Sequence, residues 1–130
     1  MDAADLIWNR AALEKGGISP GVGDRALADV LAFHGLAMSG GVLDAVERTS
    51  APGQARIGAA FCWFGLEPVD SLLASVRRDI EADALEDLDR AEALEQAADR
   101  DYRALVPSDE VLATAFRRRL DDDPDAFARV

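Results

Sequence analysis

The chain has 130 residues, 49 % of them hydrophobic and 30 % charged, with a formal net charge of −11. That length fits one domain with a true core and is short for two, and the balance excludes a disordered tail. The charge disfavours direct binding to nucleic acid or to an anionic membrane, and the single cysteine, Cys62, excludes an internal disulfide.

Ala, Leu, Glu and Arg dominate, β-branched residues are few, and no run alternates apolar and polar residues, so helix is expected throughout. The first helix should start at Asp2 or Ala3, capped by Asp2, and end near Lys15, with Gly16 and Gly17 supplying a left-handed stop. Its apolar residues are Leu6, Ile7, Ala11 and Leu13, with Trp8 at one edge. Residues 16–23 read as a loop. A second helix runs from about Asp24 to Met38 through Leu27, Val30, Leu31 and His34, and Ser39-Gly40-Gly41 breaks it. A short helix from Val42 to Arg48 and a loop through Pro52 follow. Residues 54–65, with Ile57, Phe61, Trp63 and Phe64, are apolar nearly all round and predict a buried helix in which Gly58, Ala59 and Ala60 permit close packing; Gly65 stops it.

Pro68 suits the first turn of the next helix, which carries Val69, Leu72, Leu73, Val76 and Ile80 and should end or kink between 80 and 86. From about 85 to 105 the apolar stripe is narrow: Leu85, Leu88, Ala91, Leu94 or Glu95, Ala98, Tyr102 and Leu105. Most of this helix must face water. Val106-Pro107 ends it. Ser108 caps a last helix with Asp109 and Glu110 in its first turn and Arg117, Arg118 and Arg119 in its last, both favourable to the helix dipole. Asp123 and Pro124 open a short turn that buries Phe127. The expected fold is therefore all-α, one compact domain of six or seven helices over residues 1–130.

Charge is the strongest signal. Residues 66–130 hold eighteen acids and nine bases, against seven and five in residues 1–65. Within residues 79–101 there are ten acids and only Arg90 and Arg100 as bases. Such a run marks a solvated face, partly paired within itself through Glu86–Arg90 and Asp99–Arg103, or a surface for a basic partner. Were it one helix, it would span roughly 34 Å at 1.5 Å per residue. Eight net charges over that length is about one per 4 Å, near the one per 3.4 Å of a DNA strand and well short of a duplex. Two copies side by side would come closer.

Other constellations are weaker. The glycine-rich loop lacks a preceding strand and a Gly-Lys-Ser/Thr, and Asp24 would repel phosphate there, so it reads as an interhelix turn. Asp121, Asp123 and Asp125 alternate like the start of a calcium loop, but Ala126 stands where glycine is needed and no bidentate acid follows. One His and one Cys make no standard zinc set. Cys62 reads as a buried inert thiol and His34 as a core-edge residue bonded to a carbonyl. No metal, cofactor or catalytic residue is assigned. No signal sequence opens the chain and its longest apolar run is ten residues, which predicts a cytoplasmic protein. Thirteen Arg against one Lys, with abundant Ala, points to a GC-rich bacterial coding sequence.

The order of signals carries a resemblance. Phe33-His34-Gly35-Leu36-Ala37-Met38-Ser39-Gly40-Gly41-Val42 precedes a small helix. Then come Ala59-Ala60-Phe61, Phe64-Gly65-Leu66-Glu67, a long helix and the acidic stretch, and the end reads Asp101-Tyr102-Arg103-Ala104-Leu105, Leu120 and Asp123-Pro124-Asp125-Ala126-Phe127. Over roughly residues 24–130 this resembles the bacterial family of all-helical domains typified by a neisserial DNA-mimic protein. Ser39 stands where that family usually has Asn, and Val42 where it has an aromatic. The resemblance implies an α-helical fold, a homodimer, and an acidic surface that occupies the DNA site of a transcription factor.

Together these readings make the chain a non-enzymatic interaction domain for a basic, DNA-binding protein. Asp83, Glu86, Asp87, Asp89, Glu92, Glu95 and Asp99 are the partner-binding residues, and Ser39, Gly40 and Gly41 the structural turn. One alternative is an immunity or antitoxin protein that neutralises a basic nuclease. Another is a small hydrolase or ligand-binding domain using His34 near Ser39, which requires His34 in an open pocket with a carboxylate or hydroxyl within hydrogen-bond reach.

Overall fold

The computed structural model describes residues 1–82 and 84–130. Among them the chain forms seven α-helices and no strand: α1 Ala3–Glu14, α2 Val22–Gly40, α3 Val42–Glu47, α4 Ala51–Trp63, α5 Glu67–Glu81, α6 Leu88–Leu105 and α7 Asp109–Asp122. A 3-10 turn, Pro124–Ala126, follows. The all-α, single-core expectation holds. No described helix is long and apolar enough to cross a membrane.

Local signals set most boundaries. Asp2 and Asp5 form a capping box on α1, each side chain accepting the other's backbone N–H. Ser108 caps α7, accepting from the Glu110 N–H. Gly65, at φ 79°, stops α4. Three boundaries differ from expectation. Lys15 itself takes the left-handed C-cap position of α1, at φ 54°. Ser50 caps α4 by accepting from the Gly53 N–H, so Pro52 lies inside the first turn, where its missing N–H costs nothing. Ser39 and Gly40 stay helical, and the break between α2 and α3 rests on Gly41 alone, at φ 92°.

The core is built from Leu27, Val30 and Phe33 of α2, Val42 and Val46 of α3, Phe61 of α4, Val69 and Leu73 of α5, Tyr102 of α6 and Phe116 of α7. α2 packs on α1, α3 and α4, while α5 packs on α4 and α6. α4 is not buried all round, since Ala55, Arg56 and Ala59 face solvent. Where α4 meets α5, Gly58 lets the chains close so far that a Cβ there would run into the Asp70 carboxylate. Leu6, Leu13 and Met38, expected on apolar stripes, are exposed; Ile7 and Ala11 carry α1 into the core instead.

The acidic stretch is not one helix. α5 ends at Glu81 and α6 begins at Leu88. Asp87 starts the new helix, its carboxylate accepting from the Asp89 and Arg90 N–H groups. A side chain that bonds this way holds its own backbone out of a continuing helix, and α6 must in any case reverse to pack on α5. The end of α5 falls within the expected 80–86 window, and the roughly 34 Å line of charge that a single helix would have made does not form.

Asp24 is fully buried. Its carboxylate accepts from Arg10 at 2.7 Å, from the Gly21 N–H at 2.9 Å and from the Ala128 N–H at 2.7 Å. Arg10 also donates to the Ala128 and Arg129 carbonyls, so one ion pair joins α1, the glycine-rich loop, α2 and the C-terminal tail. Removing one member of a buried pair strands the other. Asp24→Ala and Arg10→Ala should each lower stability by about 3–5 kcal/mol, and the double substitution should cost less than the two together. Urea-melt midpoints read both.

Candidate functional site: an acidic corner on α5 and α6

Between residues 79 and 95 the sequence places eight carboxylates against one base, Arg90. Because the helix breaks inside this segment, the charge gathers at the α5–α6 corner and on the first half of α6. Glu81, Glu86, Asp87, Asp89, Glu92 and Glu95 are all exposed. Neither expected internal pair, Glu86–Arg90 or Asp99–Arg103, forms. Among the described residues the one ion pair within the acidic stretch is Arg100–Asp101 at 3.5 Å.

α6 shows why these carboxylates stay outside. Its core stripe is Ala91, Leu94, Ala98, Tyr102 and Leu105. At 3.6 residues per turn Asp89 sits opposite that stripe, and Glu92 and Glu95 lie along one flank of it. Leu88, expected in the stripe, falls about 80° from its centre at Ala98. It is 83 % exposed, a large apolar side chain set among Glu86, Asp87, Asp89 and Glu92.

The seven sequence-predicted residues do not behave alike. Glu86, Asp89, Glu92 and Glu95 are solvent-facing without internal partners among the described residues. Asp87 is exposed but caps α6. Asp99 turns inward: its Oδ1 accepts from the Val42 N–H at 2.9 Å, giving α3 the cap that Gly41 cannot. Asp99 thus has a structural role as the cap of α3. Asp83 lies outside the described residues.

His34, the residue on which a hydrolase would depend, is buried. Its partner is not the expected carbonyl. Nδ1 lies 2.7 Å from the Tyr102 hydroxyl and Nε2 lies 2.9 Å from Asp109 Oδ1. An ionised carboxylate only accepts, so Nε2 carries the proton toward Asp109, and Nδ1 is left to the Tyr102 hydroxyl. Acid, imidazole and hydroxyl follow the connectivity of a nucleophilic triad, yet Tyr102 is 1 % exposed and burial pushes its phenol pKa up. A hydroxyl that substrate does not reach attacks nothing. The three groups tie α2, α6 and α7 together. Ser39 takes no part, its Oγ donating to the Leu36 carbonyl.

Cys62 is half-buried rather than enclosed. Burial raises its thiol pKa, and Asp70, whose carboxylate accepts from Sγ at 3.4 Å, raises it further. That setting suppresses thiolate and so opposes a nucleophilic role. Asp121, Asp123 and Asp125 do not converge: among the described residues no group of three or more His, Cys, Asp and Glu side chains is placed to hold a metal ion.

Comparison with family models, with curated proteins and with solved structures finds no match to the chain.

Two measurements separate these roles. Asp99→Ala should cost about 1 kcal/mol in a urea melt, while Glu95→Ala stays within about 0.5 kcal/mol. Asp70→Asn removes a charge that disfavours thiolate, so Cys62 should react faster with a disulfide reagent at mildly alkaline pH than it does in the unaltered chain.

Proposed function

We propose that this chain is a non-enzymatic interaction domain whose acidic α5–α6 corner docks a basic protein. The observation that carries this reading is the exposure of Glu86, Asp89, Glu92 and Glu95 without internal partners among the described residues. Like charges held this close repel one another, so the corner adds nothing to folding that polar neutral residues would not. It does create a local negative field, felt over the Debye length of about 8 Å at physiological salt. Leu88, 83 % exposed in its midst, is available to a partner as an apolar contact.

The partner class that fits is a protein with a compact basic patch, such as a DNA-binding regulator, as the family resemblance also implies. A corner of charge suits such a patch better than it copies the even spacing of a phosphate strand. An immunity role against a basic nuclease would use the same surface. His34, Tyr102 and Asp109 are engaged with one another, which favours a binding role over catalysis.

Affinity capture on the full chain from native-host lysate tests this. We expect a basic protein to be retained at low salt, released at moderate salt and displaced by duplex DNA. The combined variant Glu86→Gln, Asp89→Asn, Glu92→Gln and Glu95→Gln should keep its melting behaviour and associate with that protein at least about tenfold more slowly. Retention of no basic protein, or retention indifferent to salt and to the four substitutions, overturns the reading.

A further inference from the structure

A second surface lies beyond the other end of α6, a helix about 27 Å long at 1.5 Å per residue. Here the corner between α4 and α5 faces the outer side of α7 across an open groove of about 750 Å³. Trp63, Leu66, Val111 and Ala115 give it an apolar lining, and Arg118 and Arg119 stand toward its C-terminal end. Such a volume suits a small organic molecule.

The arginines decide the ligand's charge. Arg119 lies over the Trp63 ring, its Cζ 4.1 Å from the ring centroid. Its nearest carboxylate, Asp123, is 4.0 Å away, and its Nε is enclosed without a hydrogen-bond acceptor. Arg118 is exposed and forms no ion pair among the described residues. The lining also holds Glu67, Glu110 and Asp122. Glu67 and Glu110 lie in the first turns of α5 and α7, where a carboxylate meets the positive end of its own helix. Asp122 is exposed, and none of the three is ion-paired to either arginine. A cationic ligand would face two guanidinium groups. An anion meets instead the exposed, unpaired Arg118 and an Arg119 whose nearest carboxylate stands 4.0 Å off.

We propose that this groove binds a small amphipathic carboxylate, an aromatic or medium-chain aliphatic acid. Its apolar body would lie along Trp63, Leu66 and Val111, and its carboxylate would be held by Arg118 and Arg119. Because it uses another face of the molecule, the site stands or falls independently of the acidic corner.

Titration of the full chain with anilinonaphthalene sulfonate, followed by its fluorescence, tests the site. Saturable binding is expected, displaced by decanoate but not by decylamine or decanol. Arg118→Glu should weaken decanoate at least about tenfold, and Thr114→Trp, which fills the groove from α7, should abolish binding. Both positions are exposed, and a cooperative thermal melt confirms that each variant is folded. Non-saturable fluorescence, displacement by decylamine as effective as by decanoate, or unchanged affinity in the folded variants overturns the proposal.

Discussion

The enclosed Asp24–Arg10 pair fixes the positions of elements far from it. A buried charge with no partner is so costly that α1, the glycine-rich loop and the C-terminal tail must close around Asp24 together or not at all. The pair need not exceed an apolar packing in net stability; what it imposes is a unique arrangement, because three separate donors have to meet one carboxylate. The tail so anchored carries Phe127, which fills the space above Gly23 and stands 5.5 Å from the Phe116 ring and 5.8 Å from the Trp63 ring. The wall of the groove beside α7 is thus set by a contact at the opposite end of the sequence.

α7 depends on this arrangement more than any other helix. Its backbone approaches the 3-10 turn closely but lies apart from most of the bundle. Side chains bridge the gap. His34 holds Asp109 at its start, Phe116 packs on Trp8 of α1 at 5.9 Å in its middle, and Arg117 pairs with Asp2 at 3.1 Å and Asp5 at 2.9 Å near its end. The Asp5 N–H and Arg117 hold the Asp2 carboxyl below the usual carboxylate range, so this exposed clasp is at full strength above the ordinary Asp pKa and weakens as pH falls through the lowered one. A helix held by clasps at its ends and by Leu112 and Phe116 in its middle can carry variable chemistry on its outer side without disturbing the core.

The features legible in the sequence were local ones. Asp2, Ser108, Pro68 and Gly65 act within three or four residues of themselves, and the positions they mark are those the chain uses. What periodicity could not supply was the identity of distant partners. Asp99 has the same helical setting and charge as Glu95, and only the arrival of the α3 terminus, 57 residues away in sequence, makes one structural and leaves the other in water. His34 meets Tyr102 and Asp109 from 68 and 75 residues away, so its polar partners could not be told from a carbonyl. Leu88 was misplaced for a different reason. A narrow stripe tolerates a wide angular error when read as spacing, and an apolar residue 80° off it still looks periodic. The charge of the acidic stretch was readable, and so was a break between 80 and 86; what was not was the capping bond of Asp87 that starts the new helix.

The arginine content also has a physical side that composition alone does not reveal. Three clasps that cross between elements each use one guanidinium for several acceptors. Arg10 serves Asp24 and two tail carbonyls, Arg77 serves the Gln54 side chain and the Val46 and Thr49 carbonyls, and Arg117 serves two carboxylates. A planar fork with five N–H donors can satisfy such a set from one fixed position, whereas an ammonium has three donors at a single point. Whatever the coding bias, these three positions demand arginine by geometry. The acidic corner is a different case. Arg78, Arg90 and Arg103 lie on the same two helices, exposed and without an ion pair among the described residues, so nothing in the sequence prevents neutralisation there; the carboxylates stay uncompensated because the guanidinium groups beside them remain in water, where an exposed pair gains little.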